Sequence, residues 1–473
     1  MMKEELNQEL IAQGYLAYAF SQGGESPLKF EDNSDIVTDK DVNPIPVTPK
    51  GGKDPIPFVP RGSRNDLPYD ILRRTARNVT VASNIEFKSK VVYGDGILVY
   101  REVKDAVTGK WEKQEVTRQD APEIFDFLEL NDFGHVRMEL ANDLCLFYDA
   151  YVEYVFDRND PPRLVQVIPL ETACSRISEI DEKEGRSLWH GYSAEWYLGT
   201  PTDLVATPLL DRRAPLRDLL TRMGRLPGKN GIAKAGRDRR FVHNLRINTP
   251  GRFYYARPYW WSVFASGWYD FSNAIPTYKK ALIKNQMSLR YIVYIKDTFW
   301  GELFKKYRAT DEKAQAGLQK KFLDELNDYL TGEENAGKTF VSHFRYDRVK
   351  GIEDKDILIT PLDNALKGGE YIEDSEETSN TLSYGMGVHP SIIGSSPGKN
   401  KSINGTEARE LFIITQALMK SFQEATLEPL YFAKRLNGWP EDIRFSVTNV
   451  QLTTLDKGTG ATKNTGLKPE NEE

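Results

Sequence analysis

The sequence predicts an α+β fold, in which helices precede a mainly antiparallel sheet and two long helices bracket a small strand-helix-strand unit. Three observations lead there. Helical periodicity governs most of residues 65–144, strand alternation governs 145–196, and a heptad-like aromatic stripe over 259–289 is followed by a second long helical stretch after residue 366.

At 473 residues the chain is long enough for roughly two to four domains and a sizeable core. Charged residues make up 28% and the net charge is −6, which gives no overall cationic bias toward nucleic acid. The two cysteines, Cys145 and Cys174, suit neither a metal site nor a disulfide framework, and the apolar neighbours of Cys145 predict a buried thiol. No apolar run approaches the roughly 18 residues of a membrane span, and MMKEELNQEL lacks the apolar core of a signal peptide. The expected location is therefore cytoplasm, or a particle assembled there.

Residues 1–64 lose periodicity after Ala19 and become dense in Gly, Pro, Asp and Lys, as in PIPVTPKGGKDPIPFVPRG, which predicts an extended or disordered arm. Asn65 to Val91 reads as one helix with Ile71, Leu72, Ala76, Val79, Val81 and Ile85 on its apolar face. YGDGILVYREV and KWEKQEV then form a hairpin. Gly94-Asp95-Gly96 has no third glycine and no following helix, so it is a tight turn into a strand rather than a phosphate loop. Thr117 to Leu144 reads as one or two helices, interrupted near Asn131 to Gly134.

From Cys145 the pattern changes to strands, LFYDAYVEYVFDR, PRLVQVIPL and SLWHGYSAEWYL. Alternation sets Val152, Tyr154 and Phe156 against Glu153 and Asp157, whose face is expected to be solvated. The one strongly basic segment lies within 207–246 and includes Arg212, Arg213, Arg237, Arg239 and Arg240. Gly and Pro interrupt it, so it reads as a surface insertion with a short helix near Leu216 to Met223. Nucleic acid, an acidic protein partner and plain solvent are all open as its surroundings.

Trp261, Phe264, Trp268, Phe271, Ile275, Tyr278, Leu282 and Leu289 follow a three-four alternation broken only at Asn285, a stripe about 45 Å long if helical throughout. Pro276 should kink or split that helix. A strand (RYIVYIKD), a helix bearing Leu318, Phe322, Leu326 and Leu330, and a strand (GKTFVSHFRYD) come next. The following helix, ending near Met386, carries the acids Glu370, Glu373, Asp374, Glu376 and Glu377.

Most informative is Thr381 to Leu430, which reads as a helix end, a polar loop over 388–403 and a second long helix with Glu407 and Glu410 near its start and Pro429 marking its far end. The loop contains Ser395, Ser396, Lys399, Asn400, Lys401 and Ser402. It is not a Walker phosphate loop, because only three residues separate Gly394 from Gly398 and Lys399 is followed by Asn400.

This arrangement of helix, GVHPSIIG, Gly/Ser/Lys/Asn loop and a helix opening NGTEAR resembles the portal proteins of tailed bacteriophages. The stretches RPYWWS and KNQMSLR, which bound the aromatic stripe, are similar to the borders of that family's first stem helix. The resemblance implies a phage-portal-like fold, with an N-terminal arm (1–64), an α/β wing domain (65–258), a first stem helix (259–288), a clip (289–350), a second stem helix (366–387), a tunnel loop (388–403), a long helix toward wing and crown (404–437) and a short strand with a disordered tail (438–473). It also implies a homo-oligomeric ring, twelve-fold, at one capsid vertex of the virion, with double-stranded DNA passing through the channel. Ser395, Ser396, Lys399, Asn400, Lys401 and Ser402 would face that DNA, and the acidic helix would line the channel. The implied partners are terminase, the major capsid protein and a head-tail adaptor. No cofactor, metal or membrane is implied.

Five scattered histidines, with no HExxH and no G-x-S-x-G, support no catalytic site. Two other readings stay in play. One is a nucleotide-dependent nucleic-acid remodelling enzyme that uses the basic segment; the other is a different head-tail connector subunit.

Overall fold

A computed structural model describes residues 43–104, 109, 111–228, 236–288, 291–331, 344–347, 352–361, 372–393 and 405–449. Helices are mixed with small sheets whose strand pairs are all antiparallel, and the chain divides into two compact units, Met1–Ser272 with Ser375–Glu473, and Asn273–Asp374.

The described end of the arm is ordered against its own chain. Strands β1 (Ile45–Val47) and β2 (Ile56–Phe58) pair, and Val47 and Phe58 are buried with Trp196 and Leu204. The Pro- and Gly-rich composition hid three apolar side chains, Val47, Phe58 and Val59, that bury almost completely.

The helix expected over 65–91 is two, α1 (Leu67–Arg77) and α2 (Val79–Tyr93). Asn78 between them is extended, and its side chain accepts a hydrogen bond from the Val81 amide at 3.0 Å. A strong N-cap therefore starts a new helix where the apolar pattern alone runs on. Next comes the hairpin of β3 (Ile97–Lys104) and β4 (Trp111–Glu115), entered through Gly94 at φ +66°. A Cβ at Gly94 would lie 2.5 Å from Val447 Cγ1 and 2.7 Å from the Thr448 carbonyl oxygen. Gly94→Ala is therefore expected to cost about 1–3 kcal/mol, read as a lower urea midpoint at unchanged m-value.

Helices α3 (Pro122–Leu130) and α4 (Phe133–Phe147) are interrupted where the sequence suggests, and neither Thr117 nor Asp120, the two cap residues the sequence offers before α3, caps it. The Asp120 carboxylate instead accepts from the amide and hydroxyl of Thr117. The helix α4 extends through Cys145 to Phe147, so the first strand begins only at Asp149. Strands β5 (Asp149–Phe156), β6 (Leu164–Leu170), β7 (Ser175–Ile177), β8 (Ile180–Asp181), β9 (Arg186–Ser187), β10 (Trp189–Tyr192) and β11 (Val205–Pro208) follow, then α5 (Pro215–Arg222) and β12 (Arg240–Arg246). Two three-stranded sheets, β12-β5-β6 and β11-β10-β7, result.

The expected solvated face of β5 is absent. Glu153 is buried and lies 3.4 Å from Arg240 on the adjacent β12, and burial raises its carboxyl above the usual range although Arg240 pulls it down. Period-two alternation separates two faces but cannot say that both are covered.

After β12 come an aromatic turn in which Trp260 and Trp261 are buried and Tyr259 is exposed, the short α6 (Ser262–Ala265) and α7 (Trp268–Ser288). The expected single helix over 259–288 is thus broken, and the break is at Gly267, φ +80°, while α7 continues through Pro276. A left-handed glycine ends the short helix more abruptly than one missing donor ends a long one.

In the second unit β13 (Tyr291–Ile295) leads to α8 (Asp297–Lys306), a helix the apolar pattern did not indicate, and to α9 (Glu312–Thr331). Phe299 and Trp300 of α8 meet Phe322 of α9 with ring centroids 5.1 and 5.6 Å apart. Strands β14 (Phe344–Asp347) and β15 (Ile352–Lys355) pair with each other, and β16 (Ile357–Pro361) pairs with β13. The strand pairing thus extends past Lys350, to Pro361.

The chain returns to the first unit through α10 (Ile372–Gly385), α11 (Pro390–Ile393), α12 (Gly405–Leu418) and α13 (Lys420–Asn437), and closes with β17 (Ile443–Val447) beside β3. The long helix expected from 404 is divided at Met419, and α13 continues through Pro429 instead of ending there. Leu427, Leu430, Phe432, Ala433 and Leu436 are all buried in the main core with α4 and the β12-β5-β6 sheet, which outweighs the donor that Pro429 lacks.

Candidate functional site

The segment singled out in the sequence is anchored by a polar seam between α2 and α10. Thr80, Asn84 and Lys88 lie four residues apart on one face of α2. The Thr80 and Ser379 hydroxyls are 3.0 Å apart, Asn84 Nδ2 donates to Ser383 Oγ at 3.2 Å, and Lys88 Nζ donates to the Met386 carbonyl at 3.2 Å. Both residue series ascend together, so the two helices run in the same direction. Lys88 is buried, and desolvation lowers its pKa. Its ammonium satisfies a carbonyl at the C-terminus of α10, where a cation is favoured.

The Gly-Val-His-Pro turn has a definite geometry. Gly387, at φ +71°, donates to the Tyr384 carbonyl at 2.9 Å, and Val388 donates to the Ser383 carbonyl at 3.0 Å. These two bonds form a Schellman cap, which requires a residue that accepts positive φ at its centre. Val388 is buried beyond it, and Pro390 opens one turn of helix, α11. Residues 390–393 are therefore regular, although the whole loop was expected to be irregular.

The loop residues Ser395, Ser396, Lys399, Asn400, Lys401 and Ser402 lie outside the described residues, as does Glu370. Glu373, Asp374, Glu376 and Glu377 occupy the first turns of α10, where carboxylates complement the helix dipole; Glu373 and Glu377 are exposed and share one face.

The aromatic stripe is split. Trp261 and Phe264 are buried with Ile71, Val81, Ile85, Leu382 and Met386, so they pack on α1, α2 and α10 of their own chain. Trp260 and Trp261 donate their indole N–H groups to the carbonyls of Cys145 and Leu146 at 3.0 and 3.1 Å, capping the end of α4. Trp268 is half-buried and Phe271 exposed. Ile275 is buried and Tyr278 half-buried further along α7, while the side chain of Leu282 is outside the described residues.

The basic segment is largely not an insertion. Arg240 begins β12, whose register runs Arg240↔Val155 to Arg246↔Asp149 along β5. Arg222 pairs with Asp218 at 3.1 Å, and Arg225 donates to the carbonyls of Leu436 and Pro162, both at 2.9 Å. Arg212 donates to the Phe253 carbonyl at 2.7 Å and Arg239 to that of Gly236 at 3.0 Å. Arg213 and Arg237 are exposed. Much of the cationic run thus ties loops to the core, a use that composition cannot distinguish from nucleic-acid contact.

Three solved particles contain chains similar to this one. One is described as the neck of an empty GTA particle computed with sixfold cyclic symmetry, with 14% identity, TM-score 0.49, and coverage of 80% of this chain and 83% of that one. Another is the virion of a native gene transfer agent particle, with 12% identity, TM-score 0.47, and 80% and 83% covered. A third is the neck of a native GTA particle computed with twelvefold cyclic symmetry, with 13% identity, TM-score 0.49, and 80% and 84% covered. No protein-family model matches the chain, and no curated protein matches it in sequence.

A group that sequence reasoning missed is the contact chain of Tyr154, His243 and Glu428. Tyr154 Oη is 3.0 Å from His243 Nδ1, and His243 Nε2 is 3.7 Å from Glu428. Burial lowers the His243 pKa to about 3 and raises that of Glu428. Tyr154 and His243 are buried and stack on Phe432, while the Glu428 side chain is 40% exposed at the end of the chain of contacts. Among the described residues no group of three or more His, Cys, Asp or Glu could hold a metal, and no helix is long and apolar enough to cross a membrane.

Proposed function

We propose that the chain is a non-catalytic portal subunit, one copy of a closed homo-oligomeric ring that serves as the DNA channel of a virion. The observation that carries this reading is a set of exposed apolar side chains on α10 and α12, the helices on either side of residues 394–404. Tyr384 on α10 is 85% exposed, and Ile413, Ile414 and Leu418 on α12 are 55, 55 and 63% exposed. Ile414 and Leu418 stand one helical turn apart, and exposed apolar residues at that spacing call for another helix beside them, which copies in a ring supply.

In the ring, the Schellman turn and the α2–α10 seam hold the base of the loop rigid, and the loop reaches into the channel. Lys399 and Lys401 meet passing phosphates transiently. The exposed acids Glu373 and Glu377 of α10 face the channel and repel DNA, which limits friction, since each neutralised phosphate adds counterion-release affinity. Terminase docks on the second unit, and the major capsid protein and a head-tail adaptor surround the rest. On this reading the chain belongs to the neck of a particle.

Native mass spectrometry with negative-stain imaging of the purified full chain, with capsid protein added in a second sample, tests the reading. A closed ring with a central channel is expected. A monomer in both samples that hydrolyses ATP would overturn it in favour of the remodelling enzyme. Within the ring, Lys399→Ala with Lys401→Ala is expected to leave assembly intact while lowering the yield of packaged DNA, measured as nuclease-protected genome.

A further inference from the structure

An outer strand with unpaired N–H and C=O groups is a template for a further strand, so a folded chain has to cover such an edge or charge it. The sheets β12-β5-β6 and β17-β3-β4 have four outer edges between them. Three are managed in recognisable ways. The edge of β17 is closed from α13, where the Tyr431 hydroxyl accepts from the Phe445 amide at 3.3 Å and donates to the Phe445 carbonyl at 3.1 Å, and Lys434 Nζ donates to the Ile443 carbonyl at 2.6 Å. The edge of β12 is met by the chain before α5, with the Leu210 amide donating to the Val242 carbonyl at 2.9 Å. The edge of β4 is exposed along its whole length and carries Glu112, Lys113 and Glu115, charges that oppose the addition of a strand.

The fourth edge, β6, is of another kind. Its sequence LVQVIPL has no charge and begins with a run rich in β-branched residues, a composition that pairs readily with a copy of itself. Val165 on this strand is 47% exposed, so the edge is not buried under the rest of the chain.

Two asparagine side chains occupy it. Asn437, the last residue of α13, accepts at Oδ1 from the Leu164 amide at 2.9 Å and donates from Nδ2 to the Leu164 carbonyl at 3.0 Å. Asn131, directly after α3, accepts at Oδ1 from the Val167 amide at 2.9 Å and donates from Nδ2 to the Val165 carbonyl at 3.3 Å. A carboxamide has the same kinds of donor and acceptor as a peptide group, so each side chain stands in for the backbone of a further strand. Pro169 lies two residues beyond Val167 on the same side of the strand and has no N–H to offer there. The arrangement is held in place from behind. Asn131 Nδ2 also donates to the Phe127 carbonyl at 2.9 Å, and the Phe127 ring meets that of Trp439 edge to face, 5.3 Å apart, which ties the ends of α3 and α13 together.

We propose that Asn131 and Asn437 form an autoinhibitory contact that keeps the β6 edge from pairing with the same strand of a second copy of this chain. The two carboxamides take the place of the charges that β6 lacks. The contact needs only the fold of one chain and is independent of the portal reading.

The test compares the full chain with Asn131→Ala plus Asn437→Ala, and with the same pair plus Val165→Lys, which puts a charge on the opened edge. At equal concentration in sedimentation velocity, the double variant is expected to reach at least about twice the weight-average mass of the wild-type chain, with an infrared amide I band of intermolecular β-structure. The triple variant is expected to return to the wild-type mass while its thermal midpoint stays as low as that of the double variant, which separates an opened edge from a loss of stability. A double variant that keeps the wild-type mass would overturn the proposal and leave the asparagines as anchors of two helix ends. Association that persists equally in the triple variant would also overturn it, as the sticking of a loosened chain.

Discussion

Asp149→Ala is expected to destabilise the chain by about 3–5 kcal/mol, enough to unfold the first unit at physiological temperature. The carboxylate is fully buried and holds four groups from three parts of the chain: Arg61 of the arm, Arg246 and Asn244 of β12, and the Ala256 amide. Removing it leaves Arg61 and Arg246 as uncompensated buried cations, which costs far more than the lost hydrogen bonds themselves. Denaturant midpoints read the loss, and a double-mutant cycle tests its cause. Arg61→Met combined with Asp149→Ala removes one charge of each sign and, with Arg246 still unpaired, is expected to recover part of the stability lost by Asp149→Ala alone. If the double variant is less stable than the single one, the cluster is held by shape and hydrogen bonding rather than by charge balance.

Ile414→Asp with Leu418→Asp is expected to abolish ring formation while leaving the subunit folded. Both side chains are more than half exposed, so aspartate costs the isolated chain little, whereas two carboxylates at a packed helix contact are desolvated without partners. Each such residue at an interface core is expected to lose at least about 2 kcal/mol per contact, and a closed ring multiplies that loss by its copy number. Sedimentation or native mass spectrometry reads the change in assembly, and circular dichroism with an unchanged urea midpoint verifies the fold. A ring that persists in this variant would show that α12 is not the contact and would withdraw the observation on which the proposed function stands.

Much of the fold is legible in local sequence. The Gly94–Gly96 turn, the interruption near Asn131, the burial of Cys145 and the antiparallel strands around Tyr151 and Val167 all follow from periodicity and turn chemistry. The Gly-Val-His-Pro turn is legible as a stop; that it is a Schellman cap follows from the backbone, with Gly387 at positive φ and Val388 reaching Ser383. The less legible features share a cause. Whether Trp261 and Phe264 pack on a neighbour or on α1, α2 and α10 of the same chain is a question about a partner surface, and apolar spacing describes only one of the two surfaces that meet. The same holds for the arginines of 212–246, which look alike in sequence whether they bind phosphate or, like Arg225, staple a loop to the core.

The sequence by itself determined the kinds of element and most of their order, because φ/ψ preferences, capping and periodicity act within a few residues. It also supplied the motif on which the resemblance rests. Only the tertiary structure decided that Glu153 is buried, that the arm is pinned through Arg61, that α13 continues through Pro429, and that β17 returns to lie beside β3. Each of these depends on what covers the second face of an element. Burial energy summed over many distant contacts outweighs a local preference of about one hydrogen bond, and that sum is a property of the folded chain as a whole.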